Sequence, residues 1–211
     1  MIALARIARR DKVSDVSSSS LANVLVLCSA NQCRSPMAEA LLIRHLGVLR
    51  IPVAVRSAGL LQEGETSSPG AISALVPYGL EISGHRSHRV TVADLAWADL
   101  VLGMAREHVR HAVVTAPVTW PRAFTLKELV RRGEEIGPAK PAEPLADWLA
   151  RIHEGREHAA LLGDSLVDDV ADPMGGPPQA YADTAALLDE LMGRLAGLCW
   201  GLSADRLPGE R

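Results

Sequence analysis

Four consecutive apolar residues, Val24-Leu25-Val26-Leu27, follow a polar stretch and predict a strand buried on both faces. Past a short polar turn the period changes. Met37, Leu41, Leu42, His45 and Leu46 share one helical face, with Ser35 placed to cap the helix, Pro36 at its first position and Gly47 to end it. Val53-Ala54-Val55, running on into Arg56-Ser57-Ala58-Gly59, reads as a second strand. Leu61 to Ser68 is a polar loop, and Pro69-Gly70 opens a helix that passes through Tyr78 and stops at Gly79. Asp94 to Trp97 is a short helical turn, Asp99 to Met104 a third buried strand, and Arg106 to Val114 a helix. Trp120-Pro121 restricts Val118 to Phe124 to a short or edge strand. Thr125 and Glu128 have capping-box spacing for a helix with Leu126, Leu129 and Val130 inward, and Arg131 and Arg132 fall on its solvated side. A Pro/Ala-rich connection from Gly137 to Pro144 leads to a helix predicted over Leu145 to Leu162. The last helix runs from about Gln179 to Trp200; Tyr181, Ala185, Leu188, Leu191, Met192, Leu195, Leu198 and Cys199 form its packed stripe.

Strands alternating with helices predict an α/β three-layer sandwich around a central, mostly parallel four-stranded sheet, with the site at the strand C-termini. With 211 residues and 48% hydrophobic content the chain can bury one core; residues 22–201 are assigned to it, residues 1–21 to a disordered N-terminal tail and residues 202–211 to a polar C-terminal tail. Arg6, Arg9, Arg10 and Lys12 interrupt the apolar residues near the start before a secretory signal forms, and no stretch is long enough for a membrane span. The net charge of −3 gives no reason to expect nucleic acid as a partner, and three cysteines make no disulfide framework, which fits a reducing cytoplasm.

The chemistry concentrates in the turn after the first strand, Cys28-Ser29-Ala30-Asn31-Gln32-Cys33-Arg34-Ser35. A strand that runs through a tight loop into a helix N-terminus aims free backbone N–H groups and the positive end of the helix dipole at one point, and that point binds anions. Cys28 at the strand end faces those N–H groups, which favours the nucleophilic thiolate, and Ser35 can donate a hydrogen bond to it. Arg34 brings a planar fork of donors suited to two phosphate oxygens. Together they predict a phosphate loop for covalent phosphoryl transfer that needs no metal and no cofactor.

Leu25-Val26-Leu27-Cys28-Ser29-Ala30-Asn31-Gln32-Cys33-Arg34-Ser35-Pro36-Met37-Ala38-Glu39-Ala40-Leu41-Leu42 resembles the opening of bacterial low-molecular-weight protein tyrosine phosphatases, and the likeness extends from about Asn23 to Trp200. The resemblance implies that Ser57 and His85 support the loop asparagine, Asn31, and that Cys33 can form a reversible disulfide with Cys28. It also singles out the late Asp-Pro of Asp168-Asp169-Val170-Ala171-Asp172-Pro173-Met174-Gly175-Gly176. A carboxyl beside a bound dianion can serve as proton donor, and Pro173 stiffens the turn that aims it, so Asp172 is the candidate general acid; Asp168 and Asp169 are expected as loop-surface or helper residues. The implied reaction passes through phosphocysteine, and the implied partner is a phosphorylated protein such as a bacterial tyrosine kinase or a polysaccharide-assembly protein.

Several positions depart from the family pattern. Ala30 stands for a usual Gly, His88 for a usual Arg, and Met174-Gly175-Gly176 for the two aromatics that many eukaryotic relatives carry after Asp-Pro. Gln32 occupies a position where Thr accompanies phosphoarginine phosphatases, which keeps protein-arginine phosphatase as the alternative. A catalytically weak phosphoprotein-binding module would not need Cys28, Arg34 and Asp172 together. An arsenate reductase of the thioredoxin-coupled type needs further cysteines after the second strand, and none lies between Cys33 and Cys199.

Overall fold

The computed structural model describes residues 22–61 and 63–201; the tails assigned to residues 1–21 and 202–211 lie outside them. In chain order the elements are β1 (Asn23–Cys28), α1 (Arg34–Leu49), β2 (Ala54–Gly59), α2 (Pro69–Leu75), α3 (Val92–Trp97), β3 (Leu100–Gly103), α4 (Arg106–Thr115), β4 (Ala123–Thr125), α5 (Leu126–Ile136), α6 (Leu145–His153) and α7 (Pro178–Trp200). The four strands are parallel throughout, in the order β2-β1-β3-β4. β1 and β3 are central, so their C-terminal ends open at the middle of one sheet edge.

Side-chain alternation along β1 assigns the two outer layers. Val24, Val26 and Cys28 face a core built with α1, α2, α5, α6 and α7, whereas Leu25 and Leu27 face a smaller core built with α3 and α4. A strand buried on both faces must be apolar at every position, which is why this run carries no polar residue. Leu41 and Leu42 of α1 and Leu188, Met192 and Leu195 of α7 are fully buried in the larger core; each such side chain contributes about 1.5–3 kcal/mol by leaving water.

Five local expectations are corrected. Ser35 does not cap α1: the N-cap is Cys33, whose carbonyl accepts from the Met37 N–H at 3.1 Å, and Ser35 lies within the first turn because its hydroxyl is used by the loop. Gly47 does not end α1. The helix continues to Leu49 and closes on Arg50 in the left-handed region (φ 54°), whose N–H donates to the Gly47 carbonyl. Trp120-Pro121 sits in a 3₁₀ turn (Pro117–Arg122), and the edge strand β4 begins only at Ala123.

The helix predicted from Leu145 to Leu162 breaks after His153. A turn at Gly155 (φ 72°) and a 3₁₀ segment (His158–Leu161) follow. The break lets Arg156 fold back into the protein. Its guanidinium lies 4.0 Å from the Trp120 ring and 3.9 Å from that of Phe124, donates to the Ala123 carbonyl at 2.8 Å, and pairs with both oxygens of Glu128 at 2.7 and 3.0 Å. Glu128 therefore completes no capping box; only the Thr125 hydroxyl, accepting from the Glu128 N–H, caps α5.

Candidate active site

β1 delivers Cys28 to the sheet edge, and the loop from Ser29 to Cys33 wraps its sulfur before α1 begins. The Asn31 N–H donates to Cys28 Sγ at 3.2 Å, and Ser35 Oγ lies 3.0 Å from it. Ser35 Oγ accepts from Asn31 Nδ2 at 2.9 Å, which leaves its own proton for the sulfur. Two donors thus converge on Cys28, the contacts a thiolate requires.

Asn31 holds the loop in shape. It is fully buried and left-handed (φ 53°), a conformation asparagine tolerates better than most residues. Nδ2 donates to Ser35 and, at 2.8 Å, to Ser57; Oδ1 accepts from the His88 N–H at 2.8 Å; the carbonyl accepts from His85 Nε2 at 2.8 Å. The strain of a positive φ is offset because every polar atom of the residue is bonded. Ser57 and His85, far apart in sequence, are brought together here. Ala30 does not occupy the left-handed region, so the missing glycine costs the loop nothing there. The close approach is at Gly59 instead, where a Cβ would stand 2.9 Å from the Ala30 carbonyl carbon and the Asn31 nitrogen. His88 serves through its backbone, while its ring contacts Asp94 Oδ2 at 2.8 Å.

Arg34 projects from the first turn of α1 across the loop, with only 6% of its side chain exposed. Nη1 donates to the Val170 carbonyl at 3.1 Å, and Nη2 donates to Ser29 Oγ at 3.2 Å and to Asp172 Oδ2 at 2.5 Å. Asp172, with 43% of its side chain exposed, forms the outer wall of the site, and its other oxygen accepts from the Met174 N–H at 3.1 Å. Cys33 lies buried on the inner side of the loop, where burial pushes its thiol up to about 12 against an opposing hydrogen bond from Ser68. Gln32 is half-buried and holds Ser68 through its carbonyl at 2.8 Å. Cys199 is buried in the core, which raises its thiol pKa, far from this chemistry along α7.

Of the two roles expected for Asp168 and Asp169, the structure gives the helper's: both anchor the loop that carries Asp172. Asp168 accepts from Arg106 at 2.6 and 3.1 Å and from Arg131 at 3.1 Å. Burial would raise its carboxyl, yet those hydrogen bonds hold it below the usual carboxylate value. Asp169 accepts from the Arg106 N–H at the start of α4 and from the Ser165 N–H, both at 2.8 Å. The Val170 N–H donates to the Met104 carbonyl at 2.7 Å. Arg131 is thus engaged, and Arg132 donates to the carbonyls of Ile152 and Glu154 at 2.8 and 2.5 Å; neither is merely solvated.

One polar cluster beside the loop was not foreseen: Glu107 and His108 at the start of α4. His108 is fully buried against the loop. Its signal in the sequence is a polar residue on the stripe that Val109, Ala112 and Val113 otherwise make apolar. Among the described residues no group of three or more His, Cys, Asp or Glu side chains is placed to hold a metal ion, and no helix is long and apolar enough to cross a membrane.

Comparison with known proteins agrees with this geometry. A protein-arginine-phosphatase of Geobacillus stearothermophilus is 31% identical over 175 residues, covering 82% of this chain and 93% of that protein. A probable low molecular weight protein-tyrosine-phosphatase, EpsP, of Ralstonia solanacearum is 33% identical over 133 residues, covering 63% of this chain and 89% of that one. The crystal structure of a low molecular weight protein tyrosine phosphatase from T. tengcongensis superimposes with a TM-score of 0.63 at 33% identity, over 82% of this chain and 97% of that one. Residues 23–154 match the family described as low molecular weight phosphotyrosine protein phosphatase. The loop from Cys28 to Arg34, set between a central parallel strand and the first helix, is thus found in a chain that belongs to the low-molecular-weight phosphotyrosine protein phosphatase family.

Proposed function

We propose that this chain dephosphorylates proteins through a phosphocysteine intermediate, with Cys28 as nucleophile, Arg34 as phosphoryl binder and Asp172 as general acid. The observation that carries the reading is the convergence of the Ser35 hydroxyl and the Asn31 N–H on Cys28 Sγ, with Arg34 and Asp172 paired across the same opening. A phosphoryl group on the loop amides takes over the Arg34 Nη2 donor that Asp172 holds, so one exchange seats the substrate and frees the carboxylate, which takes up a proton from solvent beside the bound dianion. Cys28 attacks phosphorus; the S–P bond forms, the bond to the leaving atom breaks, and Asp172 gives that atom its proton. In the second step Asp172 takes a proton from water as the water oxygen attacks, the S–P bond breaks and phosphate leaves. Cys33, held as a thiol beside the loop, is the partner proposed for a protective disulfide: once a peroxide has oxidised Cys28 to the sulfenic acid, the Cys33 sulfur attacks it, the S–S bond forms and water leaves.

Phosphotyrosine is the proposed substrate, in a cytoplasmic phosphoprotein such as a tyrosine kinase or a polysaccharide-assembly protein. Phosphoarginine is a second reading, and specific features favour it. The arginine phosphatase from G. stearothermophilus aligns over most of both chains, Gly175 and Gly176 leave no aromatic wall after Asp172, and Gln32 puts a polar amide into the loop. The test is hydrolysis of p-nitrophenyl phosphate by wild type, Cys28→Ser and Asp172→Ala, with phosphotyrosine and phosphoarginine peptides in parallel. Loss of turnover in the first variant and a fall of about 10²-fold or more in the second support the roles, and the peptides decide the substrate. A folded but inert wild type would overturn the enzyme reading in favour of phosphoprotein binding.

A further inference from the structure

We infer that His108, acting through the Ser29 hydroxyl, is a positioning residue for Arg34. The inference rests on the phosphoryl-binding role proposed for Arg34 and adds a residue on which that role depends. His108 is fully buried, and its Nδ1 accepts from the Ala105 N–H at 2.8 Å. Burial, reinforced by the nearby Arg34 charge, lowers its pKa to about 3. A neutral ring that accepts at Nδ1 carries its proton on Nε2. That proton points at Ser29 Oγ, 3.1 Å away.

The rest of the hydroxyl's bonding follows. Ser29 Oγ accepts from His108 Nε2 and from Arg34 Nη2, filling both lone pairs, and its own proton goes to Glu107 Oε1 at 3.2 Å. The hydroxyl has one orientation that satisfies all three neighbours, and the tautomer of His108 enforces it. This matters because the other partner of Nη2 is Asp172, the contact that a phosphoryl oxygen must replace. During the exchange Ser29 and the Val170 carbonyl keep the guanidinium in place. Without the Ser29 hydroxyl, Nη2 is left to follow the carboxylate. The buried imidazole therefore does more than cap α4 at Ala105.

Orthovanadate, a phosphoryl-like oxyanion, reports on Arg34 directly as a competitive inhibitor of p-nitrophenyl phosphate hydrolysis. Ser29→Ala is expected to weaken vanadate and lower kcat/KM about tenfold, the loss of one hydrogen bond to a charged group, while Ser29→Thr, which keeps the hydroxyl, is expected to lose less on both readouts than Ser29→Ala. His108→Leu is expected to match Ser29→Ala, and the double variant to lose no more than either single one, because both act on one contact. Thermal midpoints accompany every variant, since a merely structural role of His108 would lower the midpoint and leave vanadate affinity unchanged. Equal vanadate affinity in wild type and Ser29→Ala, or a His108→Leu loss that persists in the Ser29→Ala background, overturns the inference. Should His108→Leu not fold, His108→Gln serves: in the Ser29→Ala background it must bind vanadate as His108 does, because no hydroxyl remains to receive the donor, and a difference overturns the inference. A wild-type protein that neither turns over nor binds vanadate would instead refute the phosphatase reading itself.

Discussion

The two roles proposed for Asp172 conflict, and the conflict is measurable. In the unliganded site its carboxylate neutralises Arg34 at 2.5 Å; an arriving oxyanion must displace it and then sit beside it. Asp172→Asn keeps the shape and removes the charge, so ground-state binding of inorganic phosphate should improve while catalysis fails. The gain is small because 43% of the Asp172 side chain is exposed. A screened pair of this kind is worth about 0.5–1 kcal/mol, hence about two- to fivefold in phosphate affinity. Turnover of p-nitrophenyl phosphate should fall about 10²-fold or more for want of the proton donor. Calorimetric titration with phosphate at low ionic strength measures the first quantity, steady-state kinetics the second. Raising the salt to about 0.5 M, where the screening length drops to a few ångströms, should shrink the affinity gap. Phosphate binding to Asp172→Asn that is weaker than or equal to wild type at low salt would refute the competition.

Three further outcomes follow from the same contacts. Gly59→Ala would drive a Cβ against the Ala30 and Asn31 backbone at 2.9 Å, costing about 1–3 kcal/mol in a urea melt and moving the Asn31 N–H off Cys28, with kcat/KM down by up to about 10²-fold; a fully active variant would show that the loop tolerates displacement. His108 stays neutral in the folded protein down to about pH 3 but protonates near 6.5 when unfolded. The unfolded chain therefore binds the extra proton between those values, and wild type loses about 1.4 kcal/mol of stability per pH unit on acidification through that window. His108→Gln should remove that part of the slope, as followed by urea midpoints from pH 6 to 4, and identical slopes would count against a neutral buried imidazole. Asp168→Asn leaves Arg106 and Arg131 without their shared carboxylate; it should cost about 1–3 kcal/mol and lower kcat more than it raises KM, since the acid loop rather than the phosphate loop is released.

What could be read from the sequence was what neighbours in sequence decide. β1, the turn and α1 lie within some 27 residues, Asn23 to Leu49, and the periods of their apolar residues report the burial directly. The elements misread were those whose shape is set from afar. Ser35 looks like a helix cap until its hydroxyl is claimed by Cys28. Residues 145–162 look like one helix until Arg156 finds Glu128 and the rings of Trp120 and Phe124, which reward a break at Gly155 more than continued helix would. Propensity is a weak prior against a buried, bidentate ion pair.

The site divides along the same line. Cys28 and Arg34 are six positions apart and could be paired by spacing, whereas Ser29 and His108 are 79 apart, and Arg106 and Asp168 are 62 apart. Those two long-range contacts share an origin. The first turn of α4 offers His108 and Glu107 to the phosphate loop and, from the residue before them, the N–H and guanidinium of Arg106 to the acid loop. The phosphate loop and the loop that carries Asp172 are therefore both referenced to one helix start, which follows β3 directly and is fixed to the central sheet. The proposed reaction, in which Arg34 and Asp172 separate and meet again, gains from such a common reference, because each returns to a position set by the same four residues, Ala105 to His108. On this reading, what a polar, fully buried histidine on an otherwise apolar helical face supplies is orientation at the site.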